Sequence, residues 1–244
     1  MELGPADPQD PFPSEPHGPL ARVLARSLRW DSLVFRIAHD LGSRIVTGAL
    51  PPGASISSVD VARRFHTSRA PVRDALLVLE REGLVTTSVG RASRVTHIAL
   101  RDLREIYEIR ADLYGLVAMR VVRYAAATEI AALRRINDML VRLAAADDLE
   151  GYFWANLEFR DVEAHAAGNE RLRQLLDALG LQTLVTRHAG ISHPGRLAVS
   201  VRDHEALVSA YERRDEPAAV ATARAIVEGS LATIERHKWP GLSP

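Results

Sequence analysis

The chain has no cysteine, which excludes a disulfide framework and any thiolate metal site. It has no apolar run near the ~18 residues that a membrane-spanning helix needs. Its first residues, MELGPADPQDPFPSEP, have neither a basic start nor an apolar stretch, so they do not read as a secretory signal. These absences make a cytoplasmic location the expectation. Lysine is nearly missing as well: Lys238 is the only one. Any contact to phosphate or base must therefore rely on arginine. An excess of one charge is also absent, because 31 basic and 31 acidic side chains cancel.

At 244 residues, 47% hydrophobic and 25% charged, the chain can bury a core and hold one or two domains. Its charge is unevenly placed. Residues 26–98 contain 11 Arg against 6 Asp and Glu, a net of +5. Residues 99–244 contain 19 basic and 21 acidic side chains, a net of −2. A genome that favours arginine codons explains the Arg/Lys ratio but not this asymmetry.

The proline-rich start predicts a disordered tail over residues 1–25. A helix is expected after Asp31, with Leu33, Ile37, Leu41 and Ile45 as its apolar stripe and Gly48 as its stop. Ser57 or Ser58 caps the next helix, and His66-Thr67 forms a turn. Ser68 caps the third, with Pro71 in its first turn and Gly83 just past its end. LVTTSVGRASRVTHI then reads as a hairpin with Gly90-Arg91 at the tip. Three helices and a hairpin make a winged helix-turn-helix over residues 26–98. From Arg101 the pattern is helical in about six segments, with breaks at Thr128, Asp147-Asp148, Gly168-Asn169, residues 190–195 and Asp215-Pro217. Residues 99–239 thus predict an antiparallel all-α bundle, with 240–244 as a tail. The fold class is mainly α.

In a helix-turn-helix the start of the second helix meets base edges in the major groove. Arg69 and Arg73 are four apart and share one helix face, while Val72, Ala75, Leu76 and Leu79 point inward. An arginine fork suits guanine O6 and N7, worth roughly 1–3 kcal/mol of discrimination. Ser68 and the free N–H groups beside it suit a phosphate. Arg63 and Arg64 on the preceding helix are candidates for backbone contacts, and Gly90 and Arg91 for the minor groove. The alternative is a solvated face in which Asp74, Glu80 and Glu82 neutralise these arginines.

The stretch ASISSVDVARRFHTSRAPVRDALLVLEREGLV resembles the GntR family of bacterial transcription regulators, whose SR-x-PVR-[ED]-AL run falls on Ser68 to Leu76. Upstream, IVTGALPPG fits the same pattern. The helical half is similar to the FadR-like branch with an FCD effector domain, through LREIYEIRADLYGLVA, NLEFRDVEAHAAGNERLRQLL and HEALVSAYERRDEPAA. The resemblance implies a homodimer on double-stranded DNA with a palindromic operator, released as a repressor by a small molecule. Two departures stand out. His66 lies where the family turn usually has Gly, and Val59 lies where some members carry a DNA-contacting Arg.

Many FCD domains hold a divalent metal through one Asp and three His. Those positions fall here on Asn156, Arg160, His204 and Ile226, and only His204 is a ligand type. The resemblance therefore implies an effector site without its metal, and no cofactor is expected. Arg160 can take over the metal's electrostatic part, because a guanidinium clamps a carboxylate with two hydrogen bonds. The expected effector pocket is Arg110, Asn156, Arg160 and His204, for a small organic acid or another polar metabolite. The bland alternative pairs Arg160 with Asp161, Glu163 or a neighbouring helix. His165 and His188 read as core or surface residues.

No enzyme is expected. HEALV at 204–208 lacks the second His of a zinc-protease motif, and no nucleophile elbow or phosphate loop is present. An effector-independent DNA-binding or architectural dimer stays open beside the regulator reading, and a helical-bundle enzyme stays as a remoter one.

Overall fold

The computed structural model describes residues 18–87, 92–237 and 242–243. Its head contains α1 (Gly18–Ala25), α2 (Leu33–Val46), β1 (Ser55–Ile56), α3 (Ser58–Arg64), α4 (Arg69–Arg81), β2 (Val85–Thr86) and β3 (Ser93–Val95). After β4 (Ile98–Ala99) comes the bundle: α5 (Leu100–Tyr124), α6 (Ala127–Ala145), α7 (Leu149–Ala166), α8 (Glu170–Ile191), α9 (Arg196–Glu212) and α10 (Glu216–Arg236). The six expected bundle segments are these six helices, with ends moved by a few residues.

Local chemistry accounts for most of the boundaries. Ser32, one residue after the expected Asp31, caps α2 by accepting from the Phe35 N–H at 3.1 Å. Ser57 caps α3 through the Asp60 N–H at 3.2 Å. Gly48 and Gly83 follow α2 and α4 with φ of 79° and 75°, a region in which a Cβ would be strained. Asp148, Asn169 and Asp215 cap α7, α8 and α10 in the same way as the serines. Thr128 is not a cap, since α6 starts one residue earlier. There the Glu129 carboxylate reaches back to the Ala126 N–H at 2.7 Å.

The hairpin gains a strand that the sequence did not announce. β1 pairs antiparallel with β3, which also pairs with β2, giving the order β1-β3-β2. Val85 lies opposite Val95, and both are buried. The expected wing tip, Gly90 and Arg91, lies outside the described residues.

The expected tail of residues 1–25 is helical in its last third. α1 reads GPLARVLA and buries Leu20, Ala21, Val23 and Leu24. It packs against α2 of the head and against α7 and α8 of the bundle. One apolar cluster thus joins α1, α2 and α4 to Phe153, Leu157, Leu181, Leu184 and Val185. Polar pairs rim it: Arg22 bonds Asp161 and Asp177, and Arg26 bonds Asp177 at 2.5 Å. Proline content hid this helix, because the apolar face begins only after the last proline. A second cluster fills the bundle around Tyr107, Phe159 and Tyr211. Within the expected tail of 240–244, the described pair Leu242–Ser243 forms β5, which runs parallel to β4. Among the described residues no helix is long and apolar enough to cross a membrane.

Candidate functional site

The first candidate surface is the start of α4. Ser68 is its N-cap by position, but its hydroxyl makes no capping bond, contrary to expectation. Ser68, Arg69 and Arg73 are all exposed. Neither arginine has an ion-pair partner among the described residues, and Glu80 is occupied by Thr87. Arg69, Arg73 and the exposed Leu77 follow one another at four-residue steps along the outer face. On the inner face Val72, Ala75, Leu76, Val78 and Leu79 are buried. The turn before α4 places His66 at φ 50°, the left-handed region, which His occupies at modest cost.

Arg63 and Arg64 separate. Arg63 is exposed, in a 3.2 Å pair with Asp60 one turn back. Arg64 is largely enclosed and forks onto Asp40 of α2 at 2.8 and 2.7 Å. Its hydrogen bonds to Asp40 hold α3 against α2, an arrangement that competes with the backbone contact expected of it. A two-pronged carboxylate pair of this kind is a structural clasp. Its signal could have been found only by knowing that Asp40, 24 residues earlier, lies opposite.

The second candidate site lies inside the bundle. Arg110, Asn156, Arg160 and His204 all line one small cavity, open at one side. The expected set is thus brought together, from α5, α7 and α9. Ile226 of α10 lines it too, so the four positions expected from the metal-binding pattern share one space. Residues not foreseen complete it: Tyr107 and Tyr114 of α5, Arg187 of α8, and Arg196 and Ser200 of α9.

A chain of polar contacts fixes the cavity wall. Arg187 donates to Asn156 Oδ1 at 3.1 Å. Asn156 Nδ2 lies 3.0 Å from His204 Nε2, and His204 Nδ1 lies 2.7 Å from the Ser200 carbonyl. A carbonyl can only accept, so the His204 proton is on Nδ1 and Nε2 receives the amide. Burial, reinforced by Arg160, pushes the His204 imidazole down to about 3, and it is uncharged. Tyr152 bonds Ser200 Oγ at 2.9 Å, and burial pushes its phenol up to about 12.

Arg160 is 5% exposed and does pair with Glu163, at 2.7 Å, as the bland reading had it. Glu163 also accepts from the Tyr211 hydroxyl. Burial opposes the charge on Arg160, but Glu163 outweighs it and holds the guanidinium above its ordinary value. The Arg160 Nη2 is buried without an acceptor, and the residue lines the cavity. Arg160 therefore combines both readings.

These residues do not fit a metal. The amide of Asn156 occupies the His204 lone pair, Arg160 is a cation, and Ile226 has no donor. Among the described residues no group of three His, Asp or Glu converges. His165 is exposed, and His188 packs edge-on against Phe153 near Glu150.

Behind the arginine layer lies a second, smaller chamber, which shares Arg110, Tyr114, Arg160 and Arg187 with the first. Arg22, Asp161 and Asp177 stand at its far wall. The cavity and the α1 clasp are thus two sides of one layer.

Residues 33–95 match the pattern of bacterial regulatory proteins of the gntR family, and residues 105–229 match the FCD domain. An HTH-type transcriptional regulator from the TAR-I ttuE-ttuC' intergenic region of Agrobacterium vitis is 27% identical over 164 residues, covering 67% of this chain and 90% of its own. The HTH-type transcriptional regulator McbR of Escherichia coli K12 is 25% identical over 187 residues, covering 76% and 85%. The HTH-type transcriptional repressor RspR of the same strain is 26% identical over 183 residues, covering 75% and 78%. The solved structure of E. coli McbR/YncC superposes with a TM-score of 0.74 at 23% identity, over 85% of this chain and 99% of that one. At that identity the structural likeness speaks for the fold alone.

Proposed function

Because the chain belongs to the gntR family of bacterial regulatory proteins and carries an FCD domain, it is a DNA-binding transcription regulator; we propose that Arg69 and Arg73 read its operator, and that a small organic acid in the bundle controls the reading. The observation that carries the first half is the exposed, unpaired face of α4. Arg73 and Arg69 meet base edges, while the Ser68 hydroxyl and the N–H groups beside it hold a phosphate. Arg63 adds a backbone contact. Gly90 and Arg91 are proposed for the minor groove from the sequence alone.

The observation that carries the second half is the buried cation cavity. Arg110, Arg160, Asn156 and His204 are proposed to hold the effector. α7 and α8 give one face to this cavity and the other to the apolar cluster that α1 and α2 complete. Phe153 belongs to both. An anion drawn onto Arg160 and Arg187 would shift α7 and α8 against the head, and a ligand that favours one arrangement gains its leverage there. The regulator is proposed to work in the cytoplasm as a homodimer on a palindromic site, as a repressor released by its effector.

The deciding experiment is selection of genomic fragments by the purified full chain, repeated with Arg73→Ala and with rising salt. A short palindrome that the variant loses supports the reading. Sequence-indifferent binding that fades at moderate salt would reduce the head to a charged surface.

A further inference from the structure

The cations of the cavity are only half neutralised. Arg160 is paired with Glu163, and Arg196 with Asp203 at 3.2 Å. Arg110 and Arg187 face the same space and have no carboxylate partner among the described residues. Their hydrogen bonds go to neutral acceptors, the Thr183 hydroxyl and the Asn156 amide oxygen. Arg110 also lies 5.4 and 5.6 Å from the ring centres of Tyr107 and Tyr114. It is 4% exposed, and its Nε is buried with no acceptor, like the Nη2 of Arg160.

A buried cation without a counter-charge is costly, and a second one beside it adds repulsion. The crowding registers on Arg187, whose guanidinium is pressed below its ordinary value by burial first and by Arg110 next. The rest of the wall cannot supply the missing charge, because His204 is neutral and Asn156 and Ser200 are uncharged. What the cavity lacks is two negative charges carried by hydrogen-bond acceptors.

We propose that the cavity is a metal-independent site for a compact dianion, held by the Arg110 and Arg187 forks with the free Nη2 of Arg160 as a third donor. The ligand class is a short dicarboxylate or a phosphate monoester, which share a doubly charged, oxygen-rich head. This rests on the effector reading above and specifies its chemistry. It also accounts for a built pocket at positions whose residues do not suit a metal: a dianion meets fixed guanidiniums directly, with no metal between.

The test uses the purified full chain, thermal unfolding and calorimetric titration at constant ionic strength. The probes are inorganic phosphate, malonate and succinate against acetate, and nickel or zinc with and without chelator. A saturable rise in melting temperature is expected with a dianion, about tenfold or more tighter than acetate and indifferent to chelator. Phosphate against the two dicarboxylates tells which source of charge the geometry takes. Arg187→Gln is expected to weaken the dianion about tenfold or more, while the ligand-free variant melts no lower than the wild type because a buried repulsion is gone. If that variant does not fold, Arg187→Lys keeps the charge and loses the fork, and it is expected to bind the dianion more weakly than the wild type. Acetate binding as tightly as every dianion would overturn the proposal. So would stabilisation by nickel or zinc that chelator reverses, or no saturable shift with any of the dianions. Operator affinity is measured on the same samples. A dianion that binds and leaves operator affinity unchanged refutes the effector reading and keeps the site. Operator release by another compound, with no dianion bound, does the reverse.

Discussion

The head and the bundle use the same side chain in opposite ways. On α4, Arg69 and Arg73 stand in solvent with no carboxylate beside them. In the bundle, Arg110 and Arg160 are 4% and 5% exposed, and Arg187 joins them around one space. Water solvates the exposed charges, so they stand unpaired at little cost, and the DNA contact proposed for them would be salt-dependent. The buried charges have little water, so they need a fixed partner or a ligand. Arg160 has Glu163, whereas Arg110 and Arg187 have no carboxylate partner among the described residues, which is why a ligand is proposed for them. An arginine's role here is set by its surroundings rather than by its identity. Arg64 makes the point within the head itself, because its fork on Asp40 turns a nominal DNA contact into a clasp.

The sharpest break in this comparison is the double variant Arg69→Ala, Arg73→Ala. Losing two base contacts is expected to cost about 2–6 kcal/mol of operator binding with the melting temperature nearly unchanged. Fluorescence anisotropy on a selected operator measures it, and unchanged affinity would move recognition elsewhere. Next in size is Leu24→Ala, which opens the cluster shared by α1, α2 and the bundle. About 2–5 kcal/mol of destabilisation is expected, with faster hydrogen exchange in α2 and α8. Exchange confined to α1 would show that the head is not braced this way.

Arg64→Ala follows. Its pair is partly enclosed, so about 1–3 kcal/mol of head stability is expected to be lost. The salt dependence of DNA binding should stay as it was, which separates a clasp from a phosphate contact. His204 gives an effect of similar size through pH. Its folded value, about 3, lies below the ordinary 6.5, so the unfolded chain takes up the proton first. Stability is complete above 6.5 and falls as pH drops through the window from 6.5 towards 3. About 2 kcal/mol is expected to go between pH 7 and pH 5. His39 and His188, also lowered by burial, act in the same direction. His204→Asn should flatten part of that slope in urea titrations at the two pH values. The smallest effect is that of Arg63→Ala. An exposed phosphate contact is worth about one step in the salt slope of DNA binding, and an unchanged slope would remove Arg63 from the interface.

Much of this was legible in the sequence, and for local reasons. The helix periodicity, the capping Ser57, Asn169 and Asp215, and the glycines at positive φ are short-range signals, so the elements fell within a few residues of expectation. The exposed face of α4 was readable because Arg69 and Arg73 alternate with a buried ladder on a single helix. Part of the cavity was readable through the family resemblance, which pointed to Asn156, Arg160 and His204, and the first two sit one turn apart on α7. Arg187 and Arg196 were not. On their own helices they look like ordinary surface charges, because α8 and α9 bury polar and apolar side chains on more than one face. The helix at 18–25 was hidden for a related reason, since besides α2 its partners lie on α7 and α8, more than 120 residues away.

The sequence by itself determined the order of the helices, the winged head with its outward Arg69 and Arg73, and a residue set at 156, 160, 204 and 226 whose chemistry does not suit a metal. Each of these depends on residue type and on spacing within a few turns. Tertiary structure alone decided which arginines are buried, which carboxylates neutralise them, and that α1 locks the head to the bundle. Those depend on packing between distant segments, where the loss of water fixes what a charge costs and therefore what it must bind.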